Sequence, residues 1–342
     1  MLTLHVTNGD VAATGLARSG LPGDVLSWRD ILHDGPVPPD RDLDAFRQAR
    51  ATFLSNRGWA NADEVIVDLE TRDARLDGLT RDDEVVLWFE PDLFDQLQLI
   101  QTLARLAAKA PDARPRLTIV PADLFLGPLL PEKFAPLYSA RRAVRERDLQ
   151  HGVDAWHAFT GDGPDALMAM AQRLDGELES RTYASSDDVR LPYLASSLRR
   201  ILEEYPDCDH GLSRSERQIC EALAPGEVTL AKLYRTSHQC AESWVWMGDW
   251  SFAWYVERLS DGVQPLIMHG NGTRVIPPHR DRDAKAFWER TVKLTPFGHE
   301  VVRERADAVA VNGINRWIGG TQLTAARHWR WDGRIGKPDP RG

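Results

Sequence analysis

The chain has 342 residues, 42% of them hydrophobic and 27% charged, with a net charge of −9 at neutral pH. This balance excludes a disordered or fibrous chain and is enough for two or three domains around a large core. The acidic excess argues against general attraction to nucleic acid or anionic lipid, and three cysteines without a C-x-x-C pair argue against a disulfide framework or a thiolate zinc site.

In chain order, LTLHVT (2–7) is rich in strand formers and ends at Asn8-Gly9-Asp10, after which Val11 to Arg18 suits a short helix. DVLSWRD (24–30) predicts a second strand, and HDGPVPPD (33–40) is excluded from regular structure by its three prolines. Helices are expected over 43–57 and 62–72. EVVLWFE (84–90) is a continuous apolar run, as in a strand buried on both faces, and DLFDQLQLIQTLARLAAK follows with helical spacing. RLTIVPAD (116–123) predicts a fourth strand. Strands alternating with helices indicate βαβ units, so residues 1–125 are expected to form a Rossmann-like, mostly parallel α/β domain.

Residues 126–206 look like a helical connecting region, with one helix over 138–149 and another from Pro192. Residues 207–310 open on Ser213 and Glu216, spaced as a capping box. Further helices suit 228–234 and 248–259, the latter with Trp250, Ala253 and Trp254 inward. GVQPLIMHGNGTRVI reads as a strand, an Asn-Gly turn and a strand, and VKLTPFGHEVV as a strand, a Thr295 cap and a helix. That order predicts a winged-helix-like domain. Residues 311–342, where basic and aromatic residues alternate, predict a C-terminal β segment.

Candidate functional residues lie where the parallel strands end, because ligands in open α/β sheets bind beyond the carboxyl ends of the strands. The first strand delivers Thr7, Asn8, Gly9 and Asp10; the second, Trp28 and Asp30, followed by His33 and Gly35; the third, Trp88 and Glu90, then Asp92, Asp95 and Gln96. In this reading His33 carries protons, Asp10 and Glu90 hold a metal or a hydroxyl, and Asn8 and Gln96 orient a small polar ligand. Each acid has a structural alternative. Asp10, Asp92 and Asp95 can cap helices and complement the helix dipole, and both tryptophans can be core. The glycines at 9, 15 and 20 do not match G-x-G-x-x-G, and no P-loop occurs. A metal site drawn from His5, Asp10, His33, Asp34, Glu90 and Asp92 would favour Mg²⁺ or Mn²⁺.

A DNA-reading helix needs Arg, Lys, Asn or Gln outward. The helix at 248–259 offers Asp249 and Glu257 against only Arg258, and residues 211–310 carry 13 basic and 13 acidic residues. DNA is therefore disfavoured as a partner, although the wing (Arg274, His279, Arg280, Arg282, Lys285) is basic.

LHVTNGD, LSWRDILHDGPVP and LWFEPDLFDQLQLIQTLARL together resemble the bacterial family known as domain of unknown function 1835. GLSRSERQI, WMGDWSF, LTPFGHEVV and NGINRWIGGTQL resemble its companion C-terminal region. The resemblance implies that the strand-end residues belong to one set of motifs, and it implies no activity. Three functions stay open: a cytoplasmic protein binding a nucleotide or phosphorylated metabolite, with hydrolytic or transfer chemistry; a ligand-responsive transcription regulator; and an adaptor using the tryptophan-rich helix.

Overall fold

The computed structural model describes residues 2–39, 42–180, 191–279 and 284–339. The elements run β1 (Thr3–Asn8), α1 (Asp10–Ala17), β2 (Asp24–Trp28), α2 (Leu43–Asn56), α3 (Ala62–Asp77), β3 (Glu84–Trp88), α4 (Leu93–Ala107) and β4 (Arg116–Ile119). They continue with α5 (Phe134–Ser139), β5 (Arg142–Ala143), α6 (Glu146–Thr160), α7 (Asp165–Ser180) and α8 (Leu194–Leu202). Next come α9 (Arg214–Leu223), β6 (Val228–Thr229), α10 (Leu230–Tyr234), α11 (Asp249–Leu259), β7 (Ile267–His269), α12 (Lys285–Trp288), β8 (Thr291–Leu294) and α13 (Pro296–Val302). The last are α14 (Ala308–Asn312), β9 (Asn315–Ile318), β10 (Thr321–Thr324), β11 (Arg330–Asp332) and β12 (Lys337–Asp339). The protein is a mixed α/β chain with a parallel-containing sheet. Among the described residues no helix is long and apolar enough to cross a membrane.

Contacts divide the chain into two units, neither continuous in sequence. The first holds 1–33, 66–161 and 166–199; the second holds 34–65, 162–165 and 200–342. The expected boundaries were contiguous. In the structure, α2 falls in the second unit and α6 in the first.

The first unit is built on a five-stranded sheet in the order β2-β1-β3-β4-β5. The first four strands are parallel and β5 runs antiparallel to β4. β3 is buried at every position, as its unbroken apolar run implies. α4 is buried nearly all round, so its polar residues must find partners inside: Gln101 accepts from the Trp28 indole (2.8 Å) and Gln98 donates to the Asp30 carbonyl (3.0 Å). α6 packs closely against α4, where a Cβ on Gly152 would stand 2.6 Å from Leu103. One face of the sheet carries a core cluster of Ala12, Leu16, Val86, Trp88, Leu126 and Phe134.

The helix expected over 138–149 is interrupted. α5 ends at Ser139, β5 adds to the sheet edge, and α6 restarts at Glu146, where the Arg145 backbone N–H donates to Asp148 (3.1 Å). The local pattern is helical, but the edge of β4 offers backbone partners, and the Val144 N–H donates to the Leu117 carbonyl (2.9 Å).

In the second unit the Ser213–Glu216 capping box forms as its spacing predicts. The helix expected over 228–234 begins two residues late. Val228 and Thr229 form β6, and Thr229 caps α10. The expected hairpin is also different. β7 pairs with β8, giving a three-stranded antiparallel sheet β6-β8-β7, while 273–275 lies outside any strand. α11 starts at Asp249 with Gly248 as its N-cap, and it buries Ala253 as expected together with Phe252, Tyr255, Val256 and Leu259, whereas Trp250 and Trp254 are only partly covered. β9 with β10 and β11 with β12 form two antiparallel pairs at the C-terminal end. Arg280 and Arg282 of the basic wing lie outside the described residues.

Candidate functional site

In the first unit β1 lies between β2 and β3, so the strand order reverses between β1 and β3. Helices leave the two strands in opposite directions along the sheet there, which opens a crevice beyond their carboxyl ends. The residues that terminate β1 and β3 and begin α4 meet at this place. The Asn8 amide donates to Asp95 Oδ2 (2.7 Å) and the Glu90 N–H donates to Asp95 Oδ1 (2.7 Å). Asp92 is the N-cap of α4, accepting from the Asp95 N–H (3.1 Å). Glu90 Oε1 accepts from the Leu126 N–H (2.7 Å), and Gln96 donates to the Glu90 carbonyl (2.8 Å).

Glu90, Asp92 and Asp95 are all buried, and each offers a carboxylate oxygen within 4.8 Å of the other two. Burial pushes all three carboxyls above the ordinary carboxylate range, Asp92 up to about 8. The neighbouring negative charges add to the rise at Asp92 and Asp95. Three oxygen donors of this kind suit a hard divalent cation, whose charge offsets both the burial and the mutual repulsion. Beside them the side-chain oxygen of Gln96 is buried without a hydrogen-bond partner among the described residues, and Gln96 lines a cavity of about 40 Å³ with Phe89, Val120, Arg142 and Tyr193. Thr7, near the end of β1, also has a buried hydroxyl without a partner among the described residues.

The remaining predicted residues lie elsewhere. Asp10 does not cap α1; it leaves 68% of its side chain exposed and pairs with Arg29 (2.8 Å), which also reaches Asp68. Gly9 caps α1 through its backbone at φ 30, with open space where a Cβ would stand. Trp28 is fully buried under the Arg72 guanidinium, 4.0 Å from the ring centroid. Trp88 is fully buried, donating to His5 (3.1 Å) and stacked on Tyr138. His33 packs edge-on against Phe94. Asp30 is buried. Asp34 and Gly35 belong to the second unit, where a Cβ on Gly35 would strike the Phe53 ring at 2.5 Å. His5, a candidate metal ligand, is instead held by Trp88 and the Pro22 carbonyl.

Two features had no signal in the sequence. Arg50 is fully buried in the second unit and donates to the carbonyls of Asp34 (2.7 Å) and Pro36 (3.0 Å), so it anchors the proline-rich segment. Arg200, Glu204 and Glu242 form a buried network with Ser215, and Glu216 takes both Arg258 and Arg316. Arg200 and Glu204 are one helical turn apart, but the Arg200–Glu242, Glu216–Arg258 and Glu216–Arg316 pairs span 42 to 100 residues, beyond the reach of any local pattern.

No family model matches the chain, and no curated protein matches it. Among solved structures it is similar to the DNA-binding, cleavage and re-ligation domain of Plasmodium falciparum topoisomerase II, at 13% identity, over 87% of this chain and 48% of that one, with a TM-score of 0.31. The chain spans about half the length of that structure, and a superposition this loose describes no shared fold.

Proposed function

We propose that this is a small-ligand-binding protein whose first unit, read as a Rossmann-like domain, holds a divalent cation at the β1/β3 crevice and uses it to take a phosphate- or hydroxyl-bearing ligand. One observation carries the reading: three buried carboxylates from the end of β3 and the start of α4 converge within 4.8 Å of one another at the point where strand order reverses. A phosphate brought there without a cation would face three clustered carboxyl groups, none of which supplies positive charge. With one, it would share the cation's coordination, because Mg²⁺ in particular keeps open positions for substrate oxygens. Glu90, Asp92 and Asp95 are the ligand set, Asn8 fixes the orientation of Asp95, and Gln96 supplies a further acceptor.

The test is titration of the full chain with Mn²⁺, followed by calorimetry and by the Mn²⁺ electron-spin signal. One Mn²⁺ should bind per chain and raise the melting temperature. Glu90→Gln combined with Asp95→Asn should abolish both effects while leaving a folded protein. A thermal-shift series with nucleotides should respond only when Mn²⁺ or Mg²⁺ is present. If the native chain binds no cation and the double variant simply melts higher, the carboxyls are a protonated structural cluster and the reading fails.

The second unit is read as winged-helix-like on the order α9, α10, α11 followed by the β6-β8-β7 sheet and α13. Membership of the family of domain of unknown function 1835, and a cytoplasmic location, belong to the same proposal; the quoted motifs support the first.

A further inference from the structure

The second unit contains a cleft of about 470 Å³, inside the range of roughly 300–1,000 Å³ typical of small-molecule sites. It is lined by the charged Glu216, Arg258 and Arg316 and by aliphatic side chains, the buried Leu212, Leu259 and Leu266 and the half-buried Val309 and Ile314.

Two guanidinium groups share one carboxylate in this cleft. Glu216 Oε1 accepts from Arg258 and from Arg316 (3.0 Å), while its Oε2 is taken by the Ser213 N–H (2.9 Å). One carboxylate therefore faces two guanidinium groups. Two arginines hold the Glu216 carboxyl down to about 2, so it stays ionised and the imbalance persists at working pH. At the rim, Asp261 is paired with Arg274 (3.0 Å) and adds no net charge. Asp34 also acts on Arg258, but burial pushes its carboxyl up to about 7, so below neutrality it offsets little. Arg316 has spare donor capacity. Its side chain is 8% exposed, it spends its two terminal nitrogens on Glu216 and the Glu204 carbonyl, and its Nε is buried with no partner among the described residues. Arg316 and Arg258 both line the cleft, and a guanidinium group there is a binding group for an anion.

We propose that this cleft binds a small amphipathic carboxylate, its head on Arg316 and Arg258 and its apolar body along Leu259, Leu266, Val309 and Ile314. Two guanidinium groups that share one carboxylate match a monoanion, Glu216 repels a second negative charge on the ligand, and the aliphatic lining disfavours a fully hydrated ion. The site is independent of the cation site in the first unit.

The test is calorimetry of the full chain at pH 6.5 with sodium octanoate and with its neutral amide. The native protein should bind octanoate at least tenfold more tightly than octanamide. Arg316→Gln should bring the two ligands to equal affinity. Because Arg316 also braces the network on Glu216 and the Glu204 carbonyl, a second variant guards the test against a loss of fold. Ala325 lines the cleft and is exposed, so Ala325→Trp should fill the mouth, leave the melting temperature unchanged and weaken octanoate at least tenfold. Equal affinity of the native chain for the acid and the amide, no binding of either, or no effect of Ala325→Trp would each overturn the proposal.

Discussion

At the scale of single residues, burial separates roles that residue type left open. Asp10 and Asp95 are both acids at strand ends, yet Asp10 is mostly exposed and Asp95 is fully buried. An exposed ion pair contributes about 0–1 kcal/mol. Asp10→Ala should therefore shift the unfolding free energy by less than about 1 kcal/mol and leave Mn²⁺ titration unchanged. Trp88, a ligand-contact candidate from its position, is core. Trp88→Ala should cost about 3–5 kcal/mol by denaturant titration, in line with other large core truncations.

Asp34 gives a pH prediction with a definite sign. Its folded value, about 7, lies above its unfolded value, because burial opposes the ionised form more than the Ser251 hydrogen bond and Arg258 favour it. Its contribution to stability is present below pH 4 and is lost as the pH rises toward 7. Asp34→Asn should match the native protein near pH 4 and exceed it at pH 8 by an amount on the order of 3 kcal/mol, read from the two denaturation curves. Thiol chemistry follows the same logic: Cys240 is exposed and should react at once with a disulfide reagent, whereas burial pushes the Cys220 thiol up and should keep it inert until unfolding.

At the scale of elements, local signals succeed where the determining partner is within one turn. The Ser213–Glu216 box and the Thr295-Pro296 start are such cases, and both form. Ser213→Ala should cost about 1 kcal/mol, the usual value of a lost N-cap, visible as a lower midpoint in urea. Local signals fail where a distant strand competes for the same backbone. Residues 142–143 and 228–229 have helical neighbours, yet each pairs with a strand remote in sequence, β4 and β8 respectively. The Asn-Gly turn at 271–272 is present, closed by the His269 N–H on the Thr273 carbonyl (2.9 Å), but no second strand follows, and the Val275 N–H is taken by the Ser260 hydroxyl (2.7 Å). A turn motif specifies a reversal; it does not specify which strand will accept the hydrogen bonds.

At the scale of the whole molecule, charge argues against duplex DNA as a partner. With a net charge of −9 and a balanced 211–310 segment, the chain should show no retained duplex in a gel shift at 150 mM salt. Salt-dependent retention that weakens on neutralising Arg274 would revive the regulator reading. Sequence by itself determined the first four strands, their parallel alternation with helices and the convergence of Asn8, Glu90, Asp92 and Asp95 on one sheet edge. Periodicity and strand-end position are properties of neighbouring residues, so they survive without coordinates. Only the tertiary structure decided that Asp10 faces solvent, that both tryptophans are core, and that the two units are assembled from separated stretches. It also created the Glu216–Arg258–Arg316 cleft, whose charges come from α9, α11 and β9. Burial and long-range pairing depend on which surfaces meet after the chain has folded back on itself, and no window of sequence contains both partners.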